Sequence, residues 1–297
     1  MSERMLVFDR RLVRLRRAGF ATRFADSGFL VDEVVDRLID RLADIRRIFA
    51  RVLVLGAPHR LVETALAGRF GIQELVATDS APAMLGDSDL RVVADPEALP
   101  FPADRFDLVV SAMVLHWVND LPGTLVQLRA CLAPDGLLML AMPGGETLSE
   151  LRQCLTRAEL EVEGGASPRV SPFADVRDAG ALLQRAGFAL PVVDADRITV
   201  SYADPLRLMR ELGHMGEANA LLQRRPGPLR RETLARACEL YGEMFADAAG
   251  RVPATFDILF LAGWKPHPSQ QQPARRGSGR VRLADALRVP GSEPDAT

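Results

Sequence analysis

A doubly wound α/β domain is the fold the sequence predicts, and three observations predict it. Short apolar runs at 51–55, 74–79, 90–94, 106–111 and 137–142 alternate with amphipathic stretches, and strands spaced by helices in this way pair in parallel through right-handed crossovers. Phe106-Asp107-Leu108-Val109-Val110-Ser111 is mostly β-branched and apolar rather than alternating, the composition of a strand covered on both faces. The first four runs end at Gly56, Asp79, Asp95 and Ser111, at the carboxyl ends of strands, where open α/β sheets hold their ligands.

In chain order, Arg10, Arg11, Arg14, Arg16 and Arg17 surround Leu12, Val13 and Leu15. This is read as a basic helix that folds with the domain rather than an organelle transit peptide, because Glu3 and Asp9 interrupt the charge. Leu30, Val34, Leu38, Leu42, Ile45 and Phe49 recur at helical spacing and predict one amphipathic helix over 30–49. The strand 51–55 meets Gly56, and Pro58 is suited to open a helix continued by Leu61, Val62, Ala65 and Leu66. A short helix is expected over 81–85. The strand 106–111 precedes a helix over 121–132 whose stripe is Leu121, Leu125, Leu128 and Leu132.

Pro134-Asp135-Gly136 turns the chain into the strand 137–142. A helix over 146–163 stops at Gly164-Gly165, and the Pro- and Ser-rich segment 166–174 is an exposed loop near the site or a lid. A helix over 176–186 ends at Gly187. A strand over 192–202, helices over 205–215 and 230–245, and a last strand over 255–265, antiparallel to its neighbours, complete the set. Past Pro266 the Pro, Gln, Ser, Gly and Arg content predicts disorder. The organisation expected is a helical extension over 1–50, a domain over 51–265 with helical insertions around 146–190 and 203–250, and a tail over 266–297.

At 297 residues with 48% hydrophobic content the chain can build a sizeable core. A net charge of −2 gives no argument for a nucleic-acid or membrane-surface partner, and no apolar run reaches the about 18 residues of a membrane span. The 37 basic residues include a single lysine, Lys265, which removes lysine chemistry from almost every candidate site. Three cysteines, Cys131, Cys154 and Cys238, lack the spacing of a disulfide framework or a zinc knuckle and fit a reducing compartment.

An acidic residue after the second strand can accept from both hydroxyls of a ribose, which makes Asp79 a nucleoside ligand candidate and Asp95 a candidate acceptor for an exocyclic amine. Met113, His116, Trp117 and Asn119 follow the fourth strand. Trp117 is a pocket-wall candidate. His116 is either a base near neutral pH or a group that hydrogen-bonds a loop. In SPRVSPF, Ser167, Arg169 and Ser171 are substrate-contact candidates, with Arg152 and Glu159 on the preceding helix either joining them or making ordinary charge pairs. His59, His116, His214 and His267 form no iron-binding histidine and carboxylate pattern, and His214 with Glu217 reads as a solvated polar edge; no metal site is expected.

The Gly56 turn, Asp79, Asp95 within DPEALPF, and FDLVVS followed by LHW resemble the class I S-adenosylmethionine-dependent methyltransferases. Within that class the chain is similar to the methyltransferase of early biotin synthesis. It is more closely similar to the mitochondrial complex I assembly factor known as an arginine hydroxylase, through FDRRLVRLRR, LHWVNDLP, AMPGGETLSELR, AELEVEGGASPRVSPF, MGEAN and VPATFDILFLAGWK. The resemblance spans about Phe8 to Leu283. It implies a seven-stranded, mostly parallel methyltransferase sheet and bound S-adenosylmethionine, held by Gly56, Asp79, Ser80, Asp95, Ser111 and Trp117. The residues themselves give His116 as the catalytic candidate and Arg169 and Ser171 as substrate contacts.

The expected function is S-adenosylmethionine-dependent modification of a protein substrate in the cytoplasm, or in the mitochondrial matrix of a eukaryote. The alternatives are hydroxylation of an arginine on a complex I subunit, and a non-catalytic assembly role. One departure marks the chain: where the class carries an acidic residue and a glycine-rich run, it reads Val54-Leu55-Gly56-Ala57-Pro58-His59-Arg60. Pro58 removes an N–H and fixes φ, so either Arg60 or His59 replaces the lost contacts at the start of the following helix, or the pocket has decayed.

Overall fold

The first half of the chain runs α1 (Arg10–Ala21), α2 (Phe24–Ser27), α3 (Phe29–Ala43), β1 (Arg51–Leu55), α4 (Leu61–Leu66), β2 (Glu74–Asp79), β3 (Arg91–Val93), β4 (Phe106–Ala112) and α5 (Leu121–Cys131). It continues as β5 (Leu132–Pro143), α6 (Ser149–Glu163), α7 (Val176–Arg185), β6 (Ala189–Tyr202), α8 (Pro205–His214), α9 (Arg231–Phe245) and β7 (Val252–Trp264). The computed structural model describes residues 6–56, 60–87, 89–271 and 277–278. The chain divides after Pro266. In the second unit the described residues include a turn in which the Gln270 N–H donates to the His267 carbonyl at 3.1 Å; the disorder expected over 266–297 lies largely outside the described residues.

The seven strands form one sheet in the order β3-β2-β1-β4-β5-β7-β6. β1 pairs in parallel with β2 and β4, β2 with β3, and β4 with β5, whereas β7 runs antiparallel between β5 and β6. The doubly wound sheet with an antiparallel last strand is therefore present as expected.

The uniform apolarity of the central strands has a direct cause in the pleat. Val52, Val54, Ala77, Leu108, Val110 and Met139 face a core built with α3, α6, α8 and α9. Leu53, Leu55, Val76, Val109, Leu138 and Leu140 face the opposite core with α5 and α7. Successive side chains point to opposite faces, and both faces are covered.

Several elements are shorter or longer than their sequence pattern. The helix expected over 30–49 ends at Ala43, yet its period persists because Phe49 is fully buried in the same core from the lead-in to β1, with its N–H donated to the Phe70 carbonyl at 2.8 Å. The helix expected over 81–85 is one 3₁₀ turn, Pro82–Met84. α6 starts at Ser149 rather than 146, because Thr147 turns its hydroxyl to the Asp257 carbonyl at 2.8 Å and Leu148 takes φ 56°. β6 and β7 extend beyond the sequence ranges because each is the other's long antiparallel partner, from Ala189↔Trp264 to Tyr202↔Val252.

Candidate functional site

The register brings the strand ends side by side: Leu55 pairs with Thr78 on one flank and Ser111 on the other, and Asp79 pairs with Val93. It also separates two of the expected ligands. Thr78, Leu55 and Ser111 share the face that packs on α5 and α7, so Asp79, one residue later, points to the opposite face. Ser111 keeps its Oγ buried without a hydrogen-bond partner and does not converge with Asp79. Gly56 has φ 78°, and a Cβ there would lie 2.7 Å from Cγ1 of Val114. That glycine lets β1 end against the segment after β4, a packing role. Ala57, Pro58 and His59 lie outside the described residues; Arg60 stands 3.5 Å from Asp87, an exposed partner.

Asp79 is engaged by α1. The Arg17 Nη2 donates to Asp79 Oδ2 at 2.5 Å and its Nε to Oδ1 at 3.3 Å, while the Ala81 N–H donates to Oδ1 at 2.8 Å. The Asp79 side chain is 0% exposed and that of Arg17 7%. Burial alone would lower the Arg17 guanidinium, but the charge and hydrogen bonds of Asp79 outweigh it, and its pKa stands above the ordinary arginine value. A third nitrogen, Nη1, donates to the Met113 carbonyl at 3.3 Å, where the chain leaves β4 at φ 53°.

Two helical turns earlier, Arg10 donates to Asp95 Oδ1 at 2.6 Å and to the Trp117 carbonyl at 2.8 Å. Ser80 and Asp95, with Arg10, Arg11 and Arg14, line a cavity of about 390 Å³. A ribose needs the acceptor oxygens of Asp79, and in this arrangement the Arg17 guanidinium and the Ala81 N–H hold them. Asp95 is engaged by Arg10 in the same way, so the two carboxylates are acceptors suited to an S-adenosylmethionine nucleoside, from which they would accept only with both pairs opened.

A second, apolar cavity of about 160 Å³ lies farther along the sheet and is walled by Met113, Trp117, Phe173, Arg169, Ser171 and Glu217, among others. Trp117 is fixed edge-on against Phe8 at 5.2 Å. His116 donates or accepts through Nε2 at 3.0 Å from Glu217 Oε2, and because a carboxylate only accepts, Nε2 carries the hydrogen. The other ring nitrogen, Nδ1, is buried without a partner. Glu217 thus belongs to His116, not to the polar edge with His214 expected from their spacing.

The loop 166–174 is anchored from below. Glu159 is fully buried and accepts from the Ser167 N–H at 2.7 Å, the Ser167 hydroxyl at 2.9 Å, and Arg169 Nε and Nη2 at 2.8 and 2.5 Å. The charge of Arg169 is therefore cancelled at the cavity wall. Arg152 donates to the Gly145 and Thr147 carbonyls at 3.2 and 3.1 Å, bracing the start of α6. Asn119 accepts from the N–H groups of Val7 and Phe8, both at 2.7 Å, and so ties down the segment that leads into α1.

The structure thus brings Trp117, Arg169 and Ser171 to one cavity with His116 beside it, and Ser80 and Asp95 to another. Arg17 and Glu217 were missing from the sequence candidates as partners. Their signal was present: both sit in the motifs, FDRRLVRLRR and MGEAN, that neither strand ends nor helical periods require. Among the described residues no three His, Cys, Asp or Glu side chains converge on a metal position, and no helix is long and apolar enough to cross a membrane.

Comparison with known proteins places this geometry. Residues 29–191 match the family model described as a methyltransferase domain. The chain is 42% identical over 294 residues to the arginine hydroxylase NDUFAF5, mitochondrial, of Danio rerio, covering 96% of this chain and 91% of that protein. It is 38% identical over 284 residues to the malonyl-[acyl-carrier protein] O-methyltransferase of Halorhodospira halophila, covering 93% and 94%. In fold it is similar to a Bacillus halodurans protein assigned as a methyltransferase, with TM-score 0.55, 16% identity, and coverage of 78% of this chain and 99% of that one. On its sheet order, its strand-end carboxylates and these matches, the chain belongs to the class I methyltransferase-domain family.

Proposed function

We propose that this chain is a methyltransferase-family enzyme that modifies an arginine side chain of a protein substrate, seated in the cavity beside Glu217. The observation that carries the reading is the charge of that cavity. Among the described wall residues the one basic side chain, Arg169, is neutralised by the buried Glu159, whereas Glu217 is hydrogen-bonded to the imidazole of His116 and its charge acts on Arg16 and Arg17 without a direct ion pair to either. A cavity with a carboxylate, an indole and apolar walls suits a guanidinium, which pairs with carboxylates through paired N–H donors and stacks on aromatic faces. A malonyl group, the acceptor printed in the name of the Halorhodospira relative, is an anion and would meet Glu217 unfavourably.

In this reading Glu217 binds the guanidinium and His116 holds Glu217 through Nε2–H. His116 Nδ1, the lone-pair nitrogen, is the group able to take a proton. Trp117 and Phe173 exclude water, and Arg169 and Ser171 border the entrance. The family implies S-adenosylmethionine, which supplies an electrophilic methyl when bound; its ligands would be Asp79, Ser80 and Asp95 near the Gly56 turn, with Trp117 in the wall of the apolar cavity, and Ser111 stays apart on the other face. Relatives named as mitochondrial arginine hydroxylases make hydroxylation of the same side chain the neighbouring reading. A complex I subunit is the proposed substrate, in the bacterial cytoplasm or the matrix.

The experiment is mass spectrometry of candidate arginine-bearing subunits from cells with and without the chain. A gain of one methylene on an arginine supports methyl transfer, a gain of one oxygen supports hydroxylation, and an unchanged arginine in a subunit that co-purifies with the chain sinks both. One observation favours a third reading, a non-catalytic assembly factor: the two carboxylates a nucleoside would use are already paired with arginines of α1. Any mass gain that depends on the chain rules it out.

A further inference from the structure

Arg10 and Arg17 are seven residues apart, so two turns of α1 place them on one face, and each reaches one of the two acidic strand ends: Arg17 to Asp79 at 2.5 Å and Arg10 to Asp95 at 2.6 Å. The helix has other anchors. Val13 and Phe20 are buried beneath α1, Phe8 packs on Trp117, and Asp9 caps the helix by accepting from the Leu12 N–H at 3.0 Å. A buried ion pair contributes little net stability compared with apolar groups of the same size, because desolvation offsets the attraction. One such buried pair, on Asp79, and a second, exposed pair on Asp95 occupy the two carboxylates that a nucleoside would use, and this calls for another explanation.

We infer that α1 is a competitive latch: Arg10 and Arg17 occupy Asp95 and Asp79 in the ligand-free chain, and a nucleoside binds only in the fraction of molecules in which those pairs have opened. The inference rests on the nucleoside site proposed above and adds its regulation. The two pairs differ in weight. Asp79 is fully buried and its pair is shielded from water, whereas Asp95 is 46% exposed, where an ion pair is worth little. Arg17 is the main closure and Arg10 the minor one. Apparent affinity falls in proportion to the competent fraction, so removing Arg17 raises it.

The test is titration calorimetry of the full chain with S-adenosylhomocysteine, comparing the unmutated protein, Arg17→Met and Arg10→Met, with hydrogen exchange across α1 in the unmutated protein with and without ligand. The latch predicts affinity about tenfold tighter, or more, for Arg17→Met, a smaller gain for Arg10→Met, and faster exchange of the α1 amides when ligand binds. Equal affinities with unchanged exchange overturn the latch alone. So does lost binding in Arg17→Met, which would make Arg17 a ligand contact. If neither the unmutated chain nor any variant binds, the nucleoside site itself falls, and the latch with it. Should Arg17→Met fail to fold, the exchange arm on the unmutated chain still decides.

Discussion

His116 and Glu217 stand 101 residues apart in the chain and meet at 3.0 Å, side chains 2% and 18% exposed, beside the apolar cavity. The pair joins the segment after β4 to the turn after α8. It also gives the cavity a carboxylate whose orientation is fixed by a hydrogen bond. Hydrogen bonds to charged groups contribute about 1.5–3 kcal/mol. Glu217→Gln, which keeps the shape and removes the charge, should weaken binding of an arginine-bearing peptide about tenfold to a hundredfold by fluorescence anisotropy. A citrulline peptide, uncharged, should bind the two proteins alike; equal loss for both peptides would show that the substitution disturbed the cavity rather than its charge.

The Arg17 and Asp79 pair makes a stability prediction separate from ligand binding. Asp79→Ala leaves a guanidinium with its side chain 7% exposed and without its hydrogen-bonded counter-charge, and breaking a buried pair from one side costs about 3–5 kcal/mol. The double substitution Arg17→Met with Asp79→Leu removes both charges and fills the space. Chemical denaturation should show most of the loss recovered in the double variant. A double variant no more stable than Asp79→Ala would mean that the pair holds α1 in place by more than charge balance.

Glu159 and Arg169 predict how the loop 166–174 responds to acid. Burial alone would raise the Glu159 carboxyl, but the Ser167 N–H, Arg169 and the Ser167 hydroxyl outweigh it and hold its pKa below the ordinary value of 4.5. A depressed carboxyl stabilises the folded form fully above its unfolded pKa and loses that contribution as pH falls through the folded pKa. Hydrogen exchange at 167–171 should therefore be slow at neutral pH and accelerate below about pH 4. In Glu159→Gln the loop should exchange fast at neutral pH, with no further step in acid. A step of the same size in that variant would assign the transition to another carboxylate.

The strands and the strand-end acids were legible because they depend on local order: β1 is an apolar run followed by Gly56, β2 ends on Asp79, and Ser111 is the next-to-last residue of the apolar run β4. What was hidden depends on pairing across the fold. The motif FDRRLVRLRR singles out a cluster of arginines, but nothing in it shows that Arg17 is the one that reaches Asp79. Ser111 was grouped with Asp79 because both end strands, yet a register that sets Leu55 opposite both Thr78 and Ser111 turns Ser111 to the other face. Glu159 and Arg152 stay open between substrate contacts and ordinary helix charge pairs because helical spacing cannot show that the following loop folds back over α6. The helix over 30–49 was overextended for the opposite reason: Phe49 keeps the period while sitting outside the helix.

Gly56 offers a way to separate the two demands a turn can place on glycine. Its φ of 78° costs an L-residue about 1–2 kcal/mol, and a Cβ 2.7 Å from Val114 Cγ1 adds an overpacking cost of about 1–3 kcal/mol. Gly68 has a similar φ, 68°, with nothing within 4 Å of its built Cβ. Gly68→Ala should therefore lose only the backbone contribution, and Gly56→Ala the sum, when both are unfolded by urea. Adding Val114→Ala to Gly56→Ala removes the Cγ1 contact but keeps Val114 Cβ, 2.8 Å away, so it should relieve only part of the clash while forfeiting the buried methyls, and the two effects should combine non-additively, as expected for residues in contact. Equal losses for Gly56→Ala and Gly68→Ala would show that the Val114 side chain moves aside without cost, and that Gly56 is required by its backbone angle alone.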